Sequence, residues 1–490
     1  MMSEFKRLHP ASILFTFLQG LRSILLPLIV TLFFSNRASE QLIPFHYIWL
    51  GFIFLFMVSS VLSYYFFRYQ LVGDQLYVQK GVFIKRKRYI QRKRVQSIDL
   101  SEGVLQRLFG LVKLSVETAG SGSEPEIQLN AITKSEAILI RDSLKKDAEQ
   151  LPTELHEAEN ENEQRAEFDK GRDQLKVDHK WVLSKHHLMI AALTSSGIGL
   201  TISAVGALFT QIQEFLPNWL FEETFGFLVG SGVLFILILA TIVLFISWLI
   251  SISSTILKYG NFTIEKRENE FIIQRGLLEK RQLTIREERI TAVRIVSNIF
   301  RQPFGFTSVY VESAGGGTGG EEGSTLFLPL VRKSELPSIL SELLPEYADE
   351  YRLQTIPKRA IFRYLRRATW VPITITAVGF YYVPQYALIG FIFIGIMLLL
   401  GYGQYVDAAT SYDEKKIYMR FRRISQVIVI SKHSKVQSVE RQVNFFQKRK
   451  QLSSMKFSVQ SSFSYVQFQV DDVSIHEADR ILHWYSTKNQ

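Results

Sequence analysis

The chain contains no cysteine. Disulfides, thiolate zinc sites, iron–sulfur clusters and cysteine nucleophiles are therefore excluded. Acid is short relative to base: 46 Asp and Glu stand against 57 Lys and Arg, a formal net charge of +11. Charge of either sign is nearly missing from six apolar runs, at 13–34, 45–67, 188–212, 225–250, 368–383 and 386–402. Their lengths are of the order of the roughly 20 residues that cross a bilayer. Hydrophobic residues make up 47% of the chain and charged ones 21%, which is consistent only if the apolar residues are gathered into spans. The first run ends in Phe33-Phe34-Ser35-Asn36 without a small-x-small cleavage site, so it is expected to remain as an anchor. It holds one charge, Arg22, which would cost about 2.5–3.5 kcal/mol at bilayer centre and so is expected to snorkel or face another helix.

Lys and Arg are also missing from particular places. The turns inside the three pairs of runs hold one of the 57, Arg37. By the positive-inside rule those turns face outward. Everything between the pairs, and both ends, then faces the cytoplasm, which describes a six-span plasma-membrane protein. In such a protein a basic excess points to topology and anionic lipid before nucleic acid. The aromatic clusters at Phe45, Trp49, Trp219, Trp370, Tyr381 and Tyr382 fall where interfacial belts belong, so no nucleic-acid platform is expected.

What is present is a repeat. Residues 77–120 recur 195 positions later, at 272–315, with no gap. Gly81, Arg94 and Gly110 meet Gly276, Arg289 and Gly305. An eroded third copy lies 341 positions after the first, where Lys435 and Gln437 answer Arg94 and Gln96. A spacing of 195 positions is too long for a solenoid repeat or a propeller blade, whose periods are roughly 20–50 residues. Within it, short turn-bounded segments read as antiparallel strands. An amphipathic helix closes the unit, opened by capping boxes at Thr133 to Glu136 and Ser474 to Glu477. A related run opens each unit: Leu8-His9-Pro10, Leu183-Ser184-Lys185 and Ile356-Pro357-Lys358.

These residues resemble the bacterial pleckstrin-homology-like membrane proteins. The resemblance rests on Arg94-Val95-Gln96-Ser97-Ile98, on Leu105-Gln106-Arg107-Leu108-Phe109-Gly110-Leu111 and on Val116 to Gly120. The three-unit arrangement looks like the YdbT type of that family. It implies an α+β membrane protein: three repeats of a transmembrane helical hairpin followed by a small PH-like, seven-stranded bent antiparallel sheet with a C-terminal helix. The expected layout is hairpin 1 at 1–67 and PH-like domain 1 at 68–150, then an acidic linker at 151–180. Hairpin 2 covers 181–257, domain 2 258–345, hairpin 3 355–405 and domain 3 406–490. The third copy departs from the motif, with Gln451 for Gly110 and Gln460-Ser461 for the Ala-Gly ending. The family implies no catalytic residues. Its relatives commonly work beside a shorter protein with a single such domain, and some are linked to defence against antimicrobial peptides.

The densest charge is Lys80, Lys85, Arg86, Lys87, Arg88, Arg92, Lys93 and Arg94, eight cations in fifteen residues with no acid among them. Near an anionic leaflet each could add about 1 kcal/mol of attraction. The competing reading is a topology signal on a solvated face. In copy two, Glu279, Glu287 and Glu288 offset the cations. Gly315 to Gly320 meets the dinucleotide-binding spacing, but no helix follows, so it reads as a hairpin loop. His186-His187 has no carboxylate at ligand spacing, and no metal or other cofactor is expected. No acid, base or nucleophile set recurs across copies, so an enzyme is not expected. The expected function is a membrane-anchored scaffold or interaction protein binding lipid headgroups or membrane-protein partners. An oligomer is compatible with this. The alternative is a six-helix transporter or channel component with PH-like regulatory domains.

Overall fold

The computed structural model describes residues 5–34, 45–73, 75–82, 84–118, 125–145, 178–194, 232–314, 324–349, 351–382, 384, 387–461 and 465–487. Repeat one opens with two helices, α1 (Ser12–Phe34) and α2 (Phe45–Phe66). Strands β1 (Arg68–Val72), β2 (Gln75–Lys80) and β3 (Arg86–Gln91) follow as one antiparallel sheet. A second antiparallel set holds β4 (Val95–Glu102), β5 (Leu111–Thr118) and β6 (Ile127–Thr133), with the short helix α3 (Val104–Leu108) after β4. Helix α4 (Lys134–Lys145) closes the unit. It buries Ala137, Ile140 and Leu144, one face at helical spacing. Its expected capping box is half made. The Glu136 N–H donates to Thr133 Oγ1 at 3.4 Å, while the Glu136 carboxylate pairs with Lys6 at 3.0 Å.

Repeat two runs β7 (His179–Val182), α5 (Lys185–Leu193), α6 (Gly232–Tyr259), β8 (Thr263–Arg267), β9 (Glu270–Arg275), β10 (Lys280–Arg286), β11 (Ile290–Ser297), β12 (Phe306–Ser313), β13 (Ser324–Arg332) and α7 (Leu336–Leu343). Repeat three runs β14 (Gln354–Thr355), α8 (Ile361–Tyr382), α9 (Ala387–Asp407), β15 (Ala409–Tyr412), β16 (Lys416–Arg422), β17 (Gln426–Lys432), β18 (Val436–Gln442), α10 (Phe445–Arg449), β19 (Leu452–Gln460), β20 (Tyr465–Ser474) and α11 (Ile475–Thr487). Single 3-10 turns at Arg92–Arg94, Glu287–Arg289 and His433–Lys435 hold the same place in each copy, so the gapless alignment is also a structural one.

One sequence expectation needs correction. The acidic linker does not reach residue 180, because His179 and Lys180 already belong to β7; the rest of it, 151–177, lies outside the described residues. The apolar run at 368–383 belongs to a longer helix that stays within the expected hairpin bounds of 355–405. Helix α8 starts at Ile361, and its first turns carry Arg363, Arg366 and Arg367. Among the described residues three segments are long and apolar enough to cross a membrane: Trp49–Phe66, Thr241–Tyr259 and Ala387–Asp407. Consecutive helices pair in repeats one and three. At Gly401 of α9 an added Cβ would lie 2.8 Å from Ala368 Cβ, so glycine permits the close crossing with α8.

The run that opens each unit now has a physical role. It forms the outer edge of the first sheet before the chain enters the helices. Lys6 bridges Tyr69, β7 pairs with β8 and β14 pairs with β15. Leu8, Leu183 and Ile356 are buried where sheet meets helix. Each helical insertion is thus held to its sheet at both ends.

The domains are not separate beads. The second sheet of repeat one continues into the first sheet of repeat two, in the order β6-β5-β4-β10-β9-β8-β7. The second sheet of repeat two likewise continues into repeat three, as β13-β12-β11-β17-β16-β15-β14. The cores follow the sheets. Tyr418, Ile428 and Ile430 of repeat three lie in the core of repeat two, and Ala292 of repeat two lies in that of repeat three.

Candidate functional site

The eight clustered cations fall on the β2–β3 hairpin, on β3 and on the turn that follows it. Lys80, Lys85, Arg86, Lys87, Arg88, Lys93 and Arg94 are exposed, and Arg92 is half-buried. Strand pairing sets Lys80 opposite Arg86, with Gln79 opposite Lys87 and Val78 opposite Arg88. Like charges directly opposite one another cost stability. Arg88 Nη1 donates to the Glu126 carbonyl at 2.9 Å. On the outer face of the sheet Tyr89 lies against Tyr77 at 4.6 Å, and Tyr77 against Phe5 at 5.7 Å. Ile84 at the hairpin tip is 74% exposed. In repeat two the same elements carry acids or meet them: Arg281 pairs with Glu279 at 2.8 Å and Arg286 with Glu270 at 3.7 Å, and Glu287 and Glu288 stand in the following turn.

The repeat-motif residues turn out to shape the backbone. Gly81 and Gly276 adopt φ of 112° and 102°. An added Cβ would lie 2.0 Å from the carbonyl oxygens of Ile84 and Glu279, so both hairpins require glycine. Gly110, Gly305 and Gln451 share one position and one left-handed conformation, at φ of 64°, 68° and 51°. The third copy has lost the glycine and kept the turn. Gln96 lies on β4. Arg289 contributes its carbonyl, which accepts from the Ala314 N–H at 3.0 Å. Lys435 Nζ donates to the Glu288 carbonyl at 2.7 Å and fastens repeat three to repeat two, and the Gln437 carbonyl accepts from Tyr485 OH at 2.8 Å. Gly315 to Gly320 lies outside the described residues. Near the two histidines, the Ser184 side chain caps α5 by accepting from the His187 N–H at 3.1 Å.

A second feature was not legible in the sequence. A cavity of about 720 Å³ lies between the end of α6 and the β9–β10 hairpin. Leu249, Leu257 and Leu278 give it apolar walls, and Lys258, Arg275, Arg281 and Glu279 line it too. The hairpin is seated on the helix by backbone bonds: Gly276 N–H to the Gly260 carbonyl at 2.8 Å and Leu277 N–H to the Leu257 carbonyl at 2.9 Å. Lys258 and Arg275 both stand over the Tyr259 ring, at 5.2 and 5.7 Å. Arg107 of repeat one reaches the Leu277 carbonyl at 3.2 Å, so the junction of repeats one and two borders the cavity. Asp99 of β4 belongs to that junction. Its Oδ1 is sequestered and accepts no hydrogen bond. Burial pushes the Asp99 carboxyl up to about 6, against the opposing pull of Arg281, Arg275 and Lys113 and with a small push from Glu279. Arg275 and Arg281 are among the copy-two cations that Glu279, Glu287 and Glu288 offset in the sequence.

The helices are also bolted to the sheets. Arg363 Nε of α8 meets Asp472 Oδ1 at 2.7 Å, and Arg367 Nη2 meets Asp472 Oδ2 at 2.9 Å. Gln447 Nε2 donates to Asp472 Oδ1 at 3.0 Å. In repeat two Arg301 takes the place of Gln447 and donates to Thr194 Oγ1 at 3.0 Å and the Ala191 carbonyl at 3.2 Å, at the end of α5. Gln447 belongs to a full capping box with Asn444, which the sequence pattern Asn-x-x-Gln could have revealed.

The family model described as "Bacterial PH domain" matches residues 16–148, 216–346 and 371–489. The chain belongs to the bacterial PH domain family. Each match takes in membrane-proximal helix as well as sheet, in keeping with one unit used three times. Across 495 residues the chain is 36% identical to the UPF0699 transmembrane protein YdbT of Bacillus subtilis (strain 168), covering 99% of each. This bacterial PH protein is therefore a transmembrane protein with three PH repeats.

Proposed function

We propose that the chain is a membrane-anchored interaction protein whose three PH-like domains lie together on the cytoplasmic face and engage anionic lipid headgroups. The observation that carries this reading is the cavity at the end of α6. Its apolar wall continues the surface of a helix able to cross a bilayer, and three cations, Lys258, Arg275 and Arg281, line it against one acid, Glu279, which pairs with Arg281. Acyl chains favour the first surface and a phosphate the second. The exposed cations of β3 would add long-range attraction to the same leaflet. Six spans and a cytoplasmic position for every domain are supported by the single Lys or Arg in the three turns. A role in envelope stress or peptide resistance would follow from sensing lipid charge, as would work beside a single-domain partner.

The transporter alternative gains little. The buried hydroxyls of α6, Ser247, Ser251 and Thr255, recur every fourth residue, the spacing of close helix contact in membranes. The reading is tested on the full-length protein purified in mild detergent, by native mass spectrometry of retained phospholipid. Phosphatidylglycerol should be retained over phosphatidylcholine, and Arg275→Gln with Arg281→Gln should abolish the preference. Equal retention of the two lipids, or a preference unchanged in the double variant, would refute it.

A further inference from the structure

Each internal junction joins the same two half-sites. One is the β4-type edge of a repeat, the other the β10-type edge of the next. At the first junction Lys280 pairs with Glu102 and Ile285 with Ser97. At the second, Gln426 pairs with Ser297 and Ser431 with Ala292. Lys280 and Gln426 are one repeat position, as are Glu102 and Ser297, so the two junctions share a register. Three repeats with two junctions leave one half-site of each kind unused. Among the described residues β3 ends the first sheet and β18 ends the last. Their exposure fits. Arg88 and Tyr89 of β3 are exposed where Leu283 and Thr284, at the same positions of β10, are buried, and Glu440 to Gln442 of β18 are exposed.

We propose that β18 of one copy of this chain pairs with β3 of a second copy, completing the junction between molecules in the register used twice within each. That register sets Gln442 opposite Arg86, Glu440 opposite Arg88, Val439 opposite Tyr89 and Ser438 opposite Ile90. The position of Arg88 is that of Leu283 and Val429 at the internal junctions. Its replacement by a cation is matched by an acid at the facing position, and Val439 against Tyr89 is a favourable cross-strand pair. Lys87 would face Arg441, whose charge is already taken by Asp479. Strand pairing uses the backbone edge and leaves the side chains on either face, so this inference is independent of lipid binding. A free edge bearing charge is how a sheet resists indiscriminate pairing, and an acid in the right register makes it selective. The contact is head-to-tail, so it builds rings or open rows, and confinement to a membrane raises the local concentration that favours it.

A chain without cysteine allows a direct test in native membranes. Two differently tagged full-length forms, Tyr89→Cys and Val439→Cys, are co-expressed and oxidised. The mixed disulfide should form at about ten times the yield of the control pair Arg88→Cys with Val439→Cys, whose side chains lie on opposite faces. Arg88→Glu should lower the Tyr89–Val439 cross-link at least tenfold by setting two acids opposite each other, and Glu440→Arg in the same chain should restore it. No mixed disulfide, equal yield from the control pair, a dominant disulfide between two copies of the Tyr89→Cys form, or cross-linking of that form to a different membrane protein would each overturn the proposal.

Discussion

Asp472 is the most demanding test of how helix α8 is held to the sheets. It is buried, at φ of 57°, between Arg363 and Arg367. Asp472→Asn keeps the shape and tolerates the left-handed backbone, so only the charge is removed. Removing one partner of a buried ion pair costs roughly 3–5 kcal/mol. The Arg367 side chain is 44% exposed and screened, whereas that of Arg363 is 11% exposed and would be left with a buried charge. Discounting the exposed partner, the expected cost is about 2–3 kcal/mol. The contact between α8 and β20 should open locally rather than the whole chain unfolding. In hydrogen–deuterium exchange of the full-length protein, amides of β20 and of the start of α8 should lose roughly 30- to 140-fold in protection, since each 1.4 kcal/mol is tenfold. Amides of β12 should not change. Arg363→Met should act alike, and the double variant should cost less than the sum. A loss in β20 below about threefold, or an equal loss in β12, would refute the reasoning.

Two further outcomes follow from the turn and the first junction. Gln451→Gly should stabilise repeat three by roughly 0.5–1 kcal/mol, read as slower exchange in β19, because glycine meets no Cβ penalty in the left-handed region; Gly110→Ala should destabilise repeat one by a similar amount. Asp99, whose carboxyl burial raises to about 6, binds its proton more tightly folded than unfolded, where its pKa is about 3.9. Its ionisation therefore weakens the junction above pH 6, and the junction should tighten as pH falls from about 6 towards 4. Intrinsic-rate-corrected exchange of β4 and β10 should slow from pH 7.5 to pH 5, and Asp99→Asn should remove that dependence; an unchanged slope in the variant would assign the effect elsewhere.

Much of this was open to inspection in the residues alone. Apolar runs whose turns hold a single Lys or Arg, a gapless repeat and period-two strands are local patterns, and local patterns survive in a linear text. The order of strands and closing helix in each repeat, and the shared turn at Gly110 and Gly305, follow from them. Gln451 is instructive, because the turn outlived the residue that marked it. What the sequence could not carry was the choice of partners. β4 and β11 pair outward with the next repeat, and backbone N–H and C=O groups, which are alike at every residue, make that join. The cavity beside α6 and the Asp472 bolt arise in the same way, from residues far apart in the chain brought together by sheets and helices that close on one another. Hydrophobic period fixes which face of a strand is buried; only the assembled sheets decide which edge finds which.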